Sequence, residues 1–101
     1  MTQVAVIHTA FEDKPSTVAF VDAPEGTLIE QLEYAYRWTQ NIMDSWSLKM
    51  PEDGNDAVTV MGDISSGRGL RSTSMGDQML IGNQKYVVAA FGFETLEGEA
   101  V

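Results

Sequence analysis

Cysteine is absent from the 101 residues, which excludes disulfides, thiolate metal sites, iron–sulfur clusters and thiol catalysis. Histidine occurs once, as His8, too few for a zinc site built on nitrogen and sulfur ligands or for a conventional nucleophile–base pair. Positive charge is scarce. Six basic residues stand against fifteen acidic ones, for a formal net charge of −9. No apolar run approaches the ~18 residues of a membrane span. Residues 1 to 20 lack a basic segment followed by an apolar one, so no export signal is expected and the chain is read as cytoplasmic. What the sequence does hold is 44% apolar residues, including two Trp, three Tyr and four Phe. A chain of this mass is expected to expose about 5,700 Å² once folded, burying roughly 65% of its unfolded surface. One domain with its own core is the expectation.

Such a charge repels duplex nucleic acid and anionic membranes unless the cations cluster. Lys14, Arg37, Lys49 and Lys85 are scattered, and only Arg68 and Arg71 are close in sequence. Neither direct nucleic-acid binding nor membrane association is therefore expected. The acids fall in groups, among them Glu52, Asp53 and Asp56, and Glu94, Glu97 and Glu99. They suit a solvated surface. They also suit a decoy for the basic groove of a nucleic-acid-handling protein, if they share a face.

Alternation of apolar residues predicts strands over Gln3 to Phe11 and Thr17 to Asp22, joined by Glu12-Asp13-Lys14-Pro15-Ser16 as a β-hairpin within residues 1–22. A helix is predicted over 27–43. Thr27 and Glu30 form a capping box, and Leu28, Leu32, Ala35, Thr39 and Ile42 form one apolar stripe. Residues 57–96 hold the remaining strands: Ala57 to Met61, Gln78 to Ile81 and Lys85 to Phe93. Gly82-Asn83 is a II′ hairpin turn between the last two. Residues 62–74, rich in Gly, Ser and Thr, are predicted as a flexible loop and 97–101 as a frayed tail. The fold class is α+β, an antiparallel sheet of about five strands with one amphipathic helix on one face.

Chemistry is sparse. His8 in a strand reads first as a structural residue. Asp53-Gly54-Asn55-Asp56 is oxygen-rich but lacks the alternating ligands and terminal Glu of a calcium loop, so no metal or other cofactor is expected. Residues 67–74 concentrate two arginines, glycines and hydroxyls. Arg68, Arg71, Ser72, Thr73 and Ser74 are candidates for an anion site, although no Walker or Rossmann pattern accompanies them. A purely structural loop is the other reading, with Arg71 paired to Asp77 or Asp63 and Ser72 and Ser74 capping a turn. Tyr34 and Trp38 share a helical face, for packing or for a partner.

Arg71-Ser72-Thr73-Ser74-Met75-Gly76-Asp77, followed by Tyr86-Val87-Val88 and Phe91-Gly92-Phe93-Glu94, resembles the ending of small phage- and mobile-element-encoded proteins of unknown function. The YodL-like domain carries a similar ending. Tyr36 to Ser47 resembles the helix end that precedes this signature in phage members, so the resemblance covers about half the chain. It implies a gene context and, for a phage protein, the host cytoplasm. It brings no catalytic residues, and an enzyme is not expected. The leading expectation is an acidic accessory protein of host takeover. It would bind and inhibit a basic or nucleic-acid-binding host protein (a nuclease, defence or transcription component) through Glu52, Asp53, Asp56, Glu94 and Glu97. The alternatives are a module that binds a phosphorylated or nucleotide ligand through 67–74, and a virion or assembly component forming a homo-oligomer.

Overall fold

The computed structural model describes residues 1–101 and contains one antiparallel sheet and one helix, the α+β class expected. Its surface, 5987 Å², is close to that expected for a folded chain of this mass. The elements are β1 (Thr2–His8), β2 (Ser16–Ala23), α1 (Leu28–Arg37), β3 (Val58–Val60), β4 (Gln78–Ile81), β5 (Gln84–Val88) and β6 (Phe93–Thr95). The strand order is β3-β2-β1-β4-β5-β6. One connection, β3 to β4, carries the chain from one edge of the β1–β2 hairpin to the other.

Side-chain alternation selects the buried face. Val4 pairs with Val21 and Val6 with Ala19, and Met79 and Val58 continue those rows on the flanking strands. Against them lie Leu32 and Ala35 of α1 and the fully buried Trp46, closing a single core with Val88 and Phe93. Tyr36 meets the edge of Phe93 at 6.3 Å between ring centroids. The helix begins where its cap requires. Glu30 N donates to Thr27 Oγ1 and Thr27 N donates to Glu30 Oε1 at 2.8 Å, the reciprocal capping box.

Four expectations are corrected. The helix stops at Arg37 instead of running to residue 43, because Thr39 turns its hydroxyl back to Ala35 O and its carbonyl outward to Thr73 N. Ile42, the last residue of the predicted stripe, is consequently exposed. Lys85 to Phe93 is not one strand. The chain reverses over Ala89–Gly92, with Gly92 at φ +73°, and returns as β6, the sixth strand. The tail does not fray but folds over the β6 edge: Thr95 N donates to Glu99 O and Val101 N to Phe93 O. Residues 62–74 are anchored rather than loose at their C-terminal half, since Leu70 N donates to Ser47 Oγ and Thr73 N to Thr39 O. The Gly82-Asn83 turn is as expected, with Gly82 at φ +58° and Asn83 outside the left-handed region.

Candidate functional site

The loop that enters β4 carries the densest polar chemistry, and its centre is Asp77. This carboxylate is fully buried. Its Oδ1 accepts from Thr9 N, Ala10 N and Arg71 Nη2, and its Oδ2 from Ser74 N and Arg71 Nη1, all between 2.7 and 2.9 Å. Arg71 in turn donates through Nε and Nη2 to Glu12 and through Nη1 to Ser72 O. All five N–H bonds of the guanidinium therefore have partners inside the protein. Burial pushes the Asp77 carboxyl up, but Arg71 and the three amides outweigh it and hold it at about 2.

Behind this ion pair runs an ordered chain of hydroxyls. Thr73 Oγ1 donates to Thr39 Oγ1 and Thr39 Oγ1 donates to Ala35 O, each at 2.8 Å. With the Thr73 proton so directed, the buried His8 must donate from Nε2 to Thr73 Oγ1, 3.0 Å away. The chain thus fixes the imidazole tautomer. Burial lowers the His8 pKa and the nearby Asp77 only partly restores it, so the ring is neutral at pH 7. His8 is a structural member of the core, as its strand position suggested.

The second buried carboxylate, Asp53, closes the turn after the helix. Its Oδ2 accepts from the successive amides of Ile42, Met43 and Asp44. Asp44 answers by accepting from Glu52 N and Asp53 N. Arg37 Nη2 lies 3.2 Å from Asp53 Oδ1. Hydrogen bonds reaching Asp53 from the Asp44, Met43 and Ile42 amides lower its pKa against the effect of burial.

These contacts decide among the candidates. Of the proposed anion loop, Arg71, Thr73 and Ser74 are engaged as above, and Ser72 Oγ accepts from Asn41 N. Only the Arg68 side chain is exposed without a partner. The reading of 67–74 as an anion site gives way to the structural one, with Asp77 rather than Asp63 as the partner of Arg71. Asp53 is likewise removed from the partner-binding set by its burial. Glu52 and Asp56 lie on the segment entering β3, at one edge of the sheet, and Glu94 and Glu97 on and after β6, at the other. The four are split between the two edges of the sheet.

A different grouping emerges from the topology. At the end of the sheet where Thr2 pairs with Ala23, the chain places Asp22, Glu25 and the first helical turn with Glu30. Asp22 N donates to Ala57 O, which brings Asp56 alongside, and the turn after β6 adds Glu97 and Glu99. None of these six carboxylates forms an ion pair within the protein. Compared with protein-family models, with curated proteins and with solved structures, the chain shows no match.

Proposed function

We propose that this chain is a small, non-enzymatic accessory protein that binds a basic surface on a macromolecular partner, in the manner the resemblance to phage proteins implies, and that inhibits it by occupying that surface. The supporting observation is an excess of acid without ion-pair partners. Arg71 and Arg37 are committed to internal carboxylates, while Asp22, Glu25, Glu30, Asp56, Glu97 and Glu99 form no ion pair at one end of the sheet, where the basic residues are Lys49 beside β3 and Lys85 at the start of β5. Asp56, Asp22, Glu25 and Glu30 stand by β3, β2 and the helix start, and Glu97 and Glu99 stand beyond β6 at the other side of the same end.

The test is affinity capture from bacterial lysate by wild type and by an Asp22→Asn, Asp56→Asn, Glu97→Gln triple variant, washed at low and high salt. A basic, nucleic-acid-handling protein should be held by wild type at low salt only and be lost with the variant. The same proteins on both baits, or none on either, would sink the proposal.

A further inference from the structure

One helix does not cover six strands. A helix is ~10 Å across and neighbouring strands lie ~4.8 Å apart, so α1 covers β1 and β2 and leaves the flanks of the sheet to other segments. On the β3 flank the chain after the helix fills the space, with Trp46 in the core and Asn55 Nδ2 donating to the Tyr34 hydroxyl. On the β5–β6 flank a cleft of about 340 Å³ remains between the helix and the turn that joins those strands. The buried Val88 and Phe93 form its floor, the half-buried Tyr36 and Ala89 its walls, and the exposed Glu33 stands at its mouth. An apolar cleft of this size with few polar groups is the usual form of a small-ligand site.

Charge identifies the occupant. Glu33 is the only charged residue lining the cleft. Arg37, one turn on, has the spacing to neutralise it, but the Arg37 guanidinium is drawn to Asp53 at 3.2 Å and lies over the Trp38 ring. Glu33 consequently forms no ion pair. The Tyr36 hydroxyl, unlike that of Tyr34, has no partner within the protein. The cleft thus offers an apolar floor, the rings of Tyr36 and Phe93, one hydroxyl and one uncompensated carboxylate. An anion is repelled. A neutral apolar guest takes water from the carboxylate and returns no partner. An ammonium or guanidinium on an apolar stem satisfies both parts, the stem against Val88 and Phe93 and the charge between Glu33 and the aromatic rings. We propose that the cleft between α1 and the β5–β6 turn binds an organic cation of this class. A free amine and the lysine or arginine side chain of a protein partner share that chemistry.

Phenethylamine, an ammonium on an apolar stem, is the probe, and phenylethanol is its neutral counterpart. A ligand this small should bind with a dissociation constant on the order of 1 mM, which amide chemical shifts of nitrogen-15-labelled protein measure. Shifts should centre on Tyr36, Ala89, Ala90 and Gly92, and wild type should prefer the amine to the alcohol roughly threefold at low salt. Glu33→Gln, an exposed helical change that spares the fold, should erase that preference. Glu94→Gln removes the same charge from the residue after Phe93, on the opposite face of the sheet, and should keep it. N-acetyl-arginine methylamide and N-acetyl-lysine methylamide separate the sources. Affinity comparable to that of phenethylamine assigns the cleft to a partner's basic side chain, and markedly weaker affinity assigns it to a free amine. No shift at these residues with ~20 mM amine, equal affinity for amine and alcohol, or a preference lost with Glu94→Gln as fully as with Glu33→Gln overturns the inference. None of these outcomes bears on capture of a basic partner through Asp22, Asp56 and Glu97.

Discussion

At the residue scale, stability is concentrated in carboxylates removed from water. Asp77 holds together the β1 exit, the β4 entrance and Arg71, so Asp77→Asn leaves a guanidinium without its closest anion and weakens five hydrogen bonds. Breaking such a pair by removing one partner costs roughly 3 kcal/mol, the partial exposure of Arg71 keeping the loss toward the low side. Urea unfolding of the variant against wild type measures it. Acid acts on the same groups. His8 is harder to protonate in the folded state than in the unfolded one, so its neutral form supports the fold above pH 6.5 and that support declines as pH falls below 6.5. Asp77 titrates at about 2 instead of 3.8, so its contribution, about 2 kcal/mol, is complete above 3.8 and disappears as pH falls toward 2. Urea midpoints measured from pH 8 to pH 2 should therefore decline in two steps. A midpoint that holds constant between pH 7 and pH 5 would show that His8 is not neutral and buried.

At the scale of elements, the helix depends on its first turn because only ten residues sustain it. Thr27→Ala removes the acceptor for Glu30 N and frees Glu30 from its return bond, at a cost of about 1 kcal/mol. Calorimetry should show the corresponding fall in Tm. This cap was legible in the sequence, since its two residues lie three apart and their chemistry is local. So were β1, β2 and β4, whose alternating residues state their own period. The helix end was not legible. Thr39 continues the apolar stripe by position, and only its contact with Thr73, 34 residues away, diverts it. Arg71 could be matched in advance to two acids near it in sequence, Asp63 and Asp77, and only the fold chooses Asp77. The roles of Thr73, Asp53 and Asp44 arise from groups brought together by folding, and nothing in the spacing announces them. The sheet edges belong to this level too. Lys49 Nζ donates to the outward carbonyls of Asn55 and Val58 beside β3, and residues 99–101 cover β6. The ammonium thus occupies outward acceptors of the β3 edge and the tail pairs with β6, so both edges are partly covered against another strand.

For the whole molecule, uneven charge has a thermodynamic consequence. Carboxylates gathered at one end repel one another in the folded state more than in the extended chain. Raising the salt from ~10 mM to ~0.5 M shortens the screening length from ~30 Å to a few ångströms, so Tm should rise with sodium chloride. A fall would mean that attraction within ion pairs such as Arg71–Glu12 outweighs the repulsion. The two tryptophans divide the molecule differently. Trp46 is fully buried and donates from its indole Nε1 to Arg71 O at 3.0 Å, whereas Trp38 is half-buried with the Arg37 guanidinium 4.1 Å above its ring. The emission of Trp46 is thus tied to the seating of the loop that carries Arg71, and that of Trp38 to the end of the helix. With one indole replaced by phenylalanine at a time, fluorescence would time the docking of that loop separately from the closing of the helix, with no label attached.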